Sequence, residues 1–236
     1  MSDDEGAGLR PALLGAGLAV LVVLVIPIGA LVRGKWSPLI SFDSRVERAV
    51  HRDAIAHGAL RGLAKVLTEL GAPVLIDLAA VVLVALLVQR GRRRSGLYLA
   101  ASVAGAYVLS TAGKLLVNRS RPVFADAFSH ASGASFPSGH ATGSAAFYLA
   151  LAVVALSVLR RPPRGALLAM AVIVPLLVAA TRVVLGVHYV SDVVAGLLIG
   201  WGWTMACTAF FTAWQAHEGG PVDPTEEGIE PEAAPS

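Results

Sequence analysis

Residues 165–192 read GALLAMAVIVPLLVAATRVVLGVHYVSD. The run carries no charge until Arg182, and then places Arg182, His188 and Asp192 within eleven residues. A helix needs about 20 predominantly apolar residues to cross a bilayer, so Gly165–Leu185 reads as a span and Val190–Gln215 as the next. Working outward, Pro11–Val32 is free of charge, Ala72–Gln89 is interrupted only by Asp77, Ser95–Val117 only by Lys114, and Gly139–Leu159 contains no Asp, Glu, Lys or Arg and opens with His140. The chain is therefore read as an all-α polytopic membrane protein of six transmembrane helices, with an interfacial helical segment between the first two. The acidic leader Ser2-Asp3-Asp4-Glu5 argues against a cleaved signal peptide.

Composition agrees. Of 236 residues, 56% are hydrophobic and only 15% charged, against about a quarter charged in a soluble domain. Cys207 is the only cysteine, which excludes a disulfide scaffold. A net charge of +3 is spread among apolar runs and forms no basic stripe, so nucleic acid is not an expected partner. Residues 1–10 are expected to form a cytoplasmic N-terminus, 11–216 the six-span domain, and 217–236 a disordered acidic tail.

Short arginine-rich connections stay cytoplasmic. Arg90, Arg92, Arg93 and Arg94 lie between spans two and three, and Arg160, Arg161 and Arg164 between spans four and five. Both termini are then cytoplasmic. Residues 33–70 fall outside although they carry Arg33, Lys35, Arg45, Arg48, Arg52, Arg61 and Lys65, offset in part by Asp43, Glu47, Asp53 and Glu69. Val46, Val50, Ile55, Leu60, Leu63 and Leu67 give a helical apolar pattern, read as one or two interfacial helices.

Ionisable residues in or beside spans are costly and usually functional. Here Lys114, Arg119, Arg121, His140, Arg182, His188 and Asp192 gather at the helix ends opposite the arginine-rich turns. Lys114 and Arg121, seven apart, share a helix side if the helix runs on to Pro122. In Phe136-Pro137-Ser138-Gly139-His140, Ser138 can cap a helix whose free N–H groups bind an anion, and Gly139 lets the backbone approach it. His188 and Asp192, four apart, place a carboxylate against an imidazole, and Gly186 supplies a break that brings Arg182 to them. Fixed cations and a helix start match a phosphoryl group, and a carboxylate-backed histidine is an activated nucleophile with a second histidine as general acid. No clustering of carboxylates or cysteines suggests a metal.

The patterns Lys114-x6-Arg121-Pro122, Pro137-Ser138-Gly139-His140 and Arg182-x5-His188-x3-Asp192 resemble the three-part signature of the type 2 phosphatidic acid phosphatase superfamily, over about Thr68 to Trp214. Thr181 stands where the third motif often has serine. The resemblance implies a metal-independent phosphatase, without cofactor, acting through a phosphohistidine. On it, His188 attacks phosphorus, Asp192 orients His188, and His140 protonates the leaving oxygen and then assists water. Lys114, Arg121, Arg182, the Ser138 hydroxyl and the Gly139 N–H hold the phosphoryl oxygens. The expected substrate is a membrane lipid phosphate or diphosphate, with a lean to isoprenoid carriers, at a site on the extracytoplasmic face of the plasma membrane. A lipid phosphotransferase on the same site and a non-enzymatic anion or lipid transporter are the competing readings.

Other polar residues receive lesser roles. Arg119 is expected to contact exposed headgroups, and Asp77 to pair with an interfacial arginine. Thr68 and Glu69, before Gly71, are expected near the site. His51, His57, His130 and His217 are expected to be solvated. Trp201, Trp203 and Trp214 are expected to pack or to anchor at the interface.

Overall fold

The computed structural model describes residues 15–124 and 132–218. Among them there is no strand, and six helical stretches are long and apolar enough to cross a membrane. In chain order the helices are α1 (Gly15–Arg33, with a π-helical stretch at Val20–Val25), α2 (Ser37–Ala56), α3 (Gly58–Thr68), α4 (Pro73–Gln89), α5 (Arg93–Val117), α6 (Gly139–Val158), α7 (Arg164–Val184) and α8 (Val190–Glu218). A 3₁₀ turn at Glu69–Gly71 joins α3 to α4. The expected start of the first span, Pro11–Leu14, and the two tails lie outside the described residues.

Helices α6 and α8 form the centre. Where lipid is as apolar as any side chain, helices associate through close backbone approach, which small residues allow. The first turns of α6 are buried all round, and the buried residues include the small Ala141, Gly143, Ala145, Ala146 and Ala150; α8 answers with Gly196 and Gly200. A Cβ on Gly200 would stand 2.5 Å from the Thr142 carbonyl oxygen and 2.6 Å from Ala145 Cβ. A second layer of Ile76, Leu99, Val103, Phe147 and Val154 joins α4 and α5 to α6. The periphery presents apolar side chains outward, including Val74, Val81, Val108 and Leu115. That arrangement suits a hydrocarbon surround.

Residues 33–70 hold two helices, as the periodicity implied, but the face of α2 turned inward is not the apolar one. Its buried residues are Asp43, Glu47, His51 and Ala54, at spacings of four, four and three, while Ile55 is 47% exposed. The reversal has a local cause. Asp43 finds donors on Arg119 and on Ser191 at the start of α8. A buried carboxylate with charge-assisted partners is tolerated where an unpaired one is not.

Candidate active site

Four chain segments converge at one end of the bundle. The first follows α5. The helix does not continue to Arg121, as its seven-residue spacing from Lys114 suggested. It stops at Val117, and Asn118 adopts a left-handed conformation (φ 46°) with its N–H on the Lys114 carbonyl at 3.0 Å. Asparagine is among the few residues that take this conformation readily. Lys114 and Arg121 meet all the same, because Ala134 O accepts from Lys114 Nζ at 3.4 Å and from Arg121 Nη2 at 3.2 Å. Arg121 further donates to Gly133 O at 3.0 Å, Ser132 O at 3.1 Å and Val187 O at 3.0 Å.

The second segment is the start of α6. Phe136–Pro137 is a cis peptide, and Ser138 follows in extended conformation with its N–H on Asp192 O at 3.0 Å. The expected side-chain cap is not made. The Ser138 hydroxyl is buried and has no hydrogen-bond partner among the described residues. A Cβ on Gly139 would meet nothing within 4 Å, so open space lies beside the helix start. His140 lies within electrostatic reach of Arg182, His188, Lys114 and Arg121.

The third segment is the end of α7, where Gly186 takes φ 69° and turns the chain. Arg182, 5% exposed, donates from Nη1 to Thr68 Oγ1 at 2.9 Å, and its Nε has no partner among the described residues. Thr68 thus joins the site, as its place before Gly71 suggested.

The fourth segment carries His188 and Asp192. His188 lies two residues before α8, so the pair is not on one helix, but the chain folds so that His188 Nδ1 lies 3.5 Å from Asp192 Oδ2. That is an ion-pair separation, too long for a strong hydrogen bond. On its other side, His188 Nε2 lies 3.1 Å from Arg121 Nη1. A guanidinium only donates, so Nε2 carries the lone pair and the neutral ring holds its proton on Nδ1, facing the carboxylate. Burial pulls the His188 pKa down to about 4, with Asp192 opposing and Arg121 and Arg182 adding to the fall. The ring is neutral at pH 7. Burial likewise lowers Arg121 from its ordinary value, with Asp192 opposing.

Arg119 departs most from expectation. It does not reach exposed headgroups. Its side chain is 9% exposed and donates to Asp192 Oδ1 at 2.8 Å, Ser191 Oγ at 2.8 Å and Asp43 Oδ2 at 2.8 Å. The guanidinium stacks 3.9 Å from the Tyr189 ring centroid. Asp43 completes the network by accepting from the Ser191 N–H and hydroxyl. Asp192 accepts on its second oxygen from the Tyr189 N–H at 3.0 Å. Asp43, Glu47 and His51 at four-residue spacing were the sequence signal for a polar inward face.

Two lesser expectations change, those for Asp77 and His51. Asp77 makes no ion pair among the described residues; it is exposed, beside Tyr107 along a groove between α4 and α5. His51 is buried and stacks on Phe124 with centroids 3.6 Å apart, whereas His57 is exposed as expected. Trp201 and Trp203 pack between helices, donating to Ala171 O at 3.2 Å and Ala101 O at 3.0 Å. His130 and the side chains of Trp214 and His217 lie outside the described residues.

A polytopic helical bundle with a histidine–aspartate pair ringed by lysine and arginines at one end defines a class of membrane protein, and comparison with known proteins places the chain within it. The model of the PAP2 superfamily matches residues 95–216. The chain belongs to that superfamily. It is 36% identical over 127 residues to the lipid A 1-phosphatase of Rhizobium etli, covering 50% of each protein. It is 35% identical over 127 residues to the lipid A 1-phosphatase of Rhizobium johnstonii. The matches thus span about half the length of these curated relatives. The crystal structure of a transmembrane PAP2-type phosphatidylglycerolphosphate phosphatase from Bacillus subtilis superposes with a TM-score of 0.73, over 84% of this chain and 97% of that one, at 24% identity. This likeness shows the fold.

Proposed function

We propose that the protein is an integral-membrane lipid phosphatase that needs no metal and works through a phosphohistidine on His188. The observation that carries the reading is the His188 ring, neutral, with its lone pair on Nε2 and its Nδ1 proton facing a fully buried carboxylate. That is an activated nucleophile, and the carboxylate stabilises the positive charge the ring gains on attack.

In the first step Nε2 bonds to phosphorus and the bond to the lipid oxygen breaks, with His140 donating its proton to that oxygen. A bound phosphoryl anion favours the protonated ring of His140. In the second step water attacks phosphorus and gives a proton to His140, the P–N bond breaks, and inorganic phosphate leaves with His188 restored. Lys114, Arg121 and Arg182, with the Ser138 hydroxyl and the Gly139 N–H, are the donors for oxygens that gain charge in transfer. The unpartnered Ser138 Oγ and Arg182 Nε suit that use. Arg121 must hand its Nη1 donor from His188 to a phosphoryl oxygen before Nε2 can attack.

The scissile group belongs to a lipid whose chains stay in the bilayer. Phosphatidic-acid-like, isoprenoid diphosphate and lipid A phosphates all offer it, and the relatives' names favour a phosphate on a large headgroup over the isoprenoid carrier. The site is assigned to the extracytoplasmic face, opposite Arg90–Arg94 and Arg160–Arg164, with both termini cytoplasmic.

The test is phosphate release by detergent-purified protein in EDTA. Lipid A, phosphatidic acid, phosphatidylglycerophosphate and an isoprenyl diphosphate are compared side by side. Release that His188→Ala abolishes, with the fold retained, is expected. Release that EDTA stops, or that survives in the variant, overturns the mechanism; transfer of phosphate to an added alcohol in place of water would make the protein a phosphotransferase.

A further inference from the structure

Outside the catalytic ring, α2 and Phe124 border an open cleft of about 590 Å³ lined by Arg45, Arg48, His51, Arg52 and Phe124. At 100° per residue, positions 45, 48 and 52 fall within roughly 60° of one another on the helix, so three guanidiniums share one face. All three are exposed. No carboxylate among the described residues lies within ion-pair distance of any of them, and Arg45 Nε has only the Ser41 carbonyl, at 3.3 Å. Among the described residues, the acids of α2 do not neutralise the cluster. Glu47 is turned into the protein, and burial raises its pKa to about 7, with Arg48 opposing. Asp53 is exposed and pairs with none of the three. Like charges three and four residues apart repel, a cost that an anion bound between them removes.

The cleft is one layer of side chains from the reaction. Phe124 follows Arg121 by three residues and stacks on His51. Both rings press on Gly186, where a Cβ would meet Phe124 Cδ2 at 3.2 Å and His51 Nδ1 at 3.3 Å. Gly186 precedes His188 by two residues. A headgroup whose phosphate sits at His188 and which extends past Phe124 arrives among the three arginines.

We propose that Arg45, Arg48 and Arg52 form a second anion subsite, which takes a further phosphate on the substrate's own headgroup. The inference deepens the phosphatase reading and rests on it for the identity of the substrate, though not for the binding of an anion. Planar guanidiniums with several donors suit phosphate oxygens better than point charges do. The same chemistry could be supplied by the headgroup of a neighbouring bilayer lipid, so the test has an arm for each source.

The full chain, in nanodiscs of neutral phosphatidylcholine, is compared with R45Q/R48Q/R52Q and with the three single variants. In the first arm, kcat/KM is measured for lipid A carrying a phosphate at both ends of its disaccharide and for lipid A carrying only the 1-phosphate. A preference for the doubly phosphorylated lipid of roughly tenfold is expected, a few exposed charge contacts being worth about that much together, and it should vanish in the triple variant. In the second arm, phosphatidylglycerol is added to the bilayer. Activation of the wild type that the triple variant loses, with no preference in the first arm, overturns the assignment to the substrate and gives the subsite to bilayer lipid. In the third, inorganic phosphate is titrated calorimetrically into the wild type, the triple variant and His188→Ala. One binding event fewer in the triple variant is expected whether or not phosphate is ever released, so failure of the phosphatase reading shows as absent turnover with this event intact. A triple variant that matches the wild type in all three arms overturns the subsite. The arginines are exposed, so the variants should fold; should the triple variant not, R48Q alone must show part of each loss.

Discussion

At the scale of single residues, the charges in the site were legible because charge near a bilayer core is expensive and therefore conspicuous. Lys114, Arg121, His140, Arg182, His188 and Asp192 stand out of apolar text for that reason. Arg119 was visible too, but what it does depends on a partner 76 residues away, Asp43, which no local pattern reveals. Its position between two buried carboxylates makes a definite prediction. Arg119→Met leaves Asp43 and Asp192 without their shared cation, and removing one partner from such a set typically costs 3–5 kcal/mol. The thermal midpoint should fall, and with Asp192 no longer held, kcat should drop by about 100-fold. Asp43→Asn should produce a milder version of both. A variant Arg119→Met with unchanged kcat would show that Asp192 is held well enough by the Tyr189 N–H alone. The His188 ring makes a second prediction. It is neutral above about pH 4, and below that the proton it gains removes the attacking lone pair. The acid limb of kcat/KM should therefore lie near pH 4, well below the ordinary histidine value of 6.5. A limb near 6.5 would mean that His188 is solvated in the working enzyme.

At the scale of elements, the spans were legible from length and charge alone, and the helices end within a few residues of the expected span ends. The continuation of α5 to Arg121 did not follow, because the break at Asn118 comes from one residue's tolerance of left-handed backbone, not from the proline four residues on. The inward face of α2 was missed although Asp43, Glu47 and His51 recur at four-residue spacing. Apolar periodicity marks the face a helix would bury in a greasy core, and α2 buries its polar face against Arg119 and Ser191. Glu47 on that face gives a pH dependence. Its pKa rises from 4.5 to about 7 on folding, so the folded state holds the proton more tightly than the unfolded one. The stability this contributes is complete below pH 4.5 and is lost as the pH climbs through about 7. Thermal midpoints should fall between about pH 4.5 and pH 7 and level off above, and Glu47→Gln should flatten the slope. An unchanged slope in that variant would place the titrating group elsewhere. The crossing of α6 and α8 is equally testable. Gly200→Ala puts a methyl 2.5 Å from the Thr142 carbonyl oxygen, an overpacking expected to cost about 1–3 kcal/mol. Differential scanning of the detergent-solubilised variant reads it.

At the scale of the whole molecule, the fold and the family follow from the agreement of six spans, three ordered motifs and the superposition on a solved PAP2-type phosphatase. Sidedness is a property of the assembled protein in a bilayer, and it is open to direct measurement. Cys207 is buried and gives a silent background. An impermeant maleimide applied to intact cells should label Asp53→Cys, beside the site, and leave Arg161→Cys unlabelled until the membrane is opened. The reverse pattern would put the site on the cytoplasmic face.

The family match begins at residue 95, yet two props of the site stand before it. Asp43 steadies Arg119 from α2, and Thr68 steadies Arg182 from the end of α3. A chimaera that joins residues 95–216 to the leading helices of another family member would keep every group proposed to touch phosphorus and still lose the alignment of two cations. The portable unit of this protein is therefore larger than its signature. Grafts made at the motif boundary should be inert unless the donor's first helices bring an aspartate and a hydroxyl to the same two places.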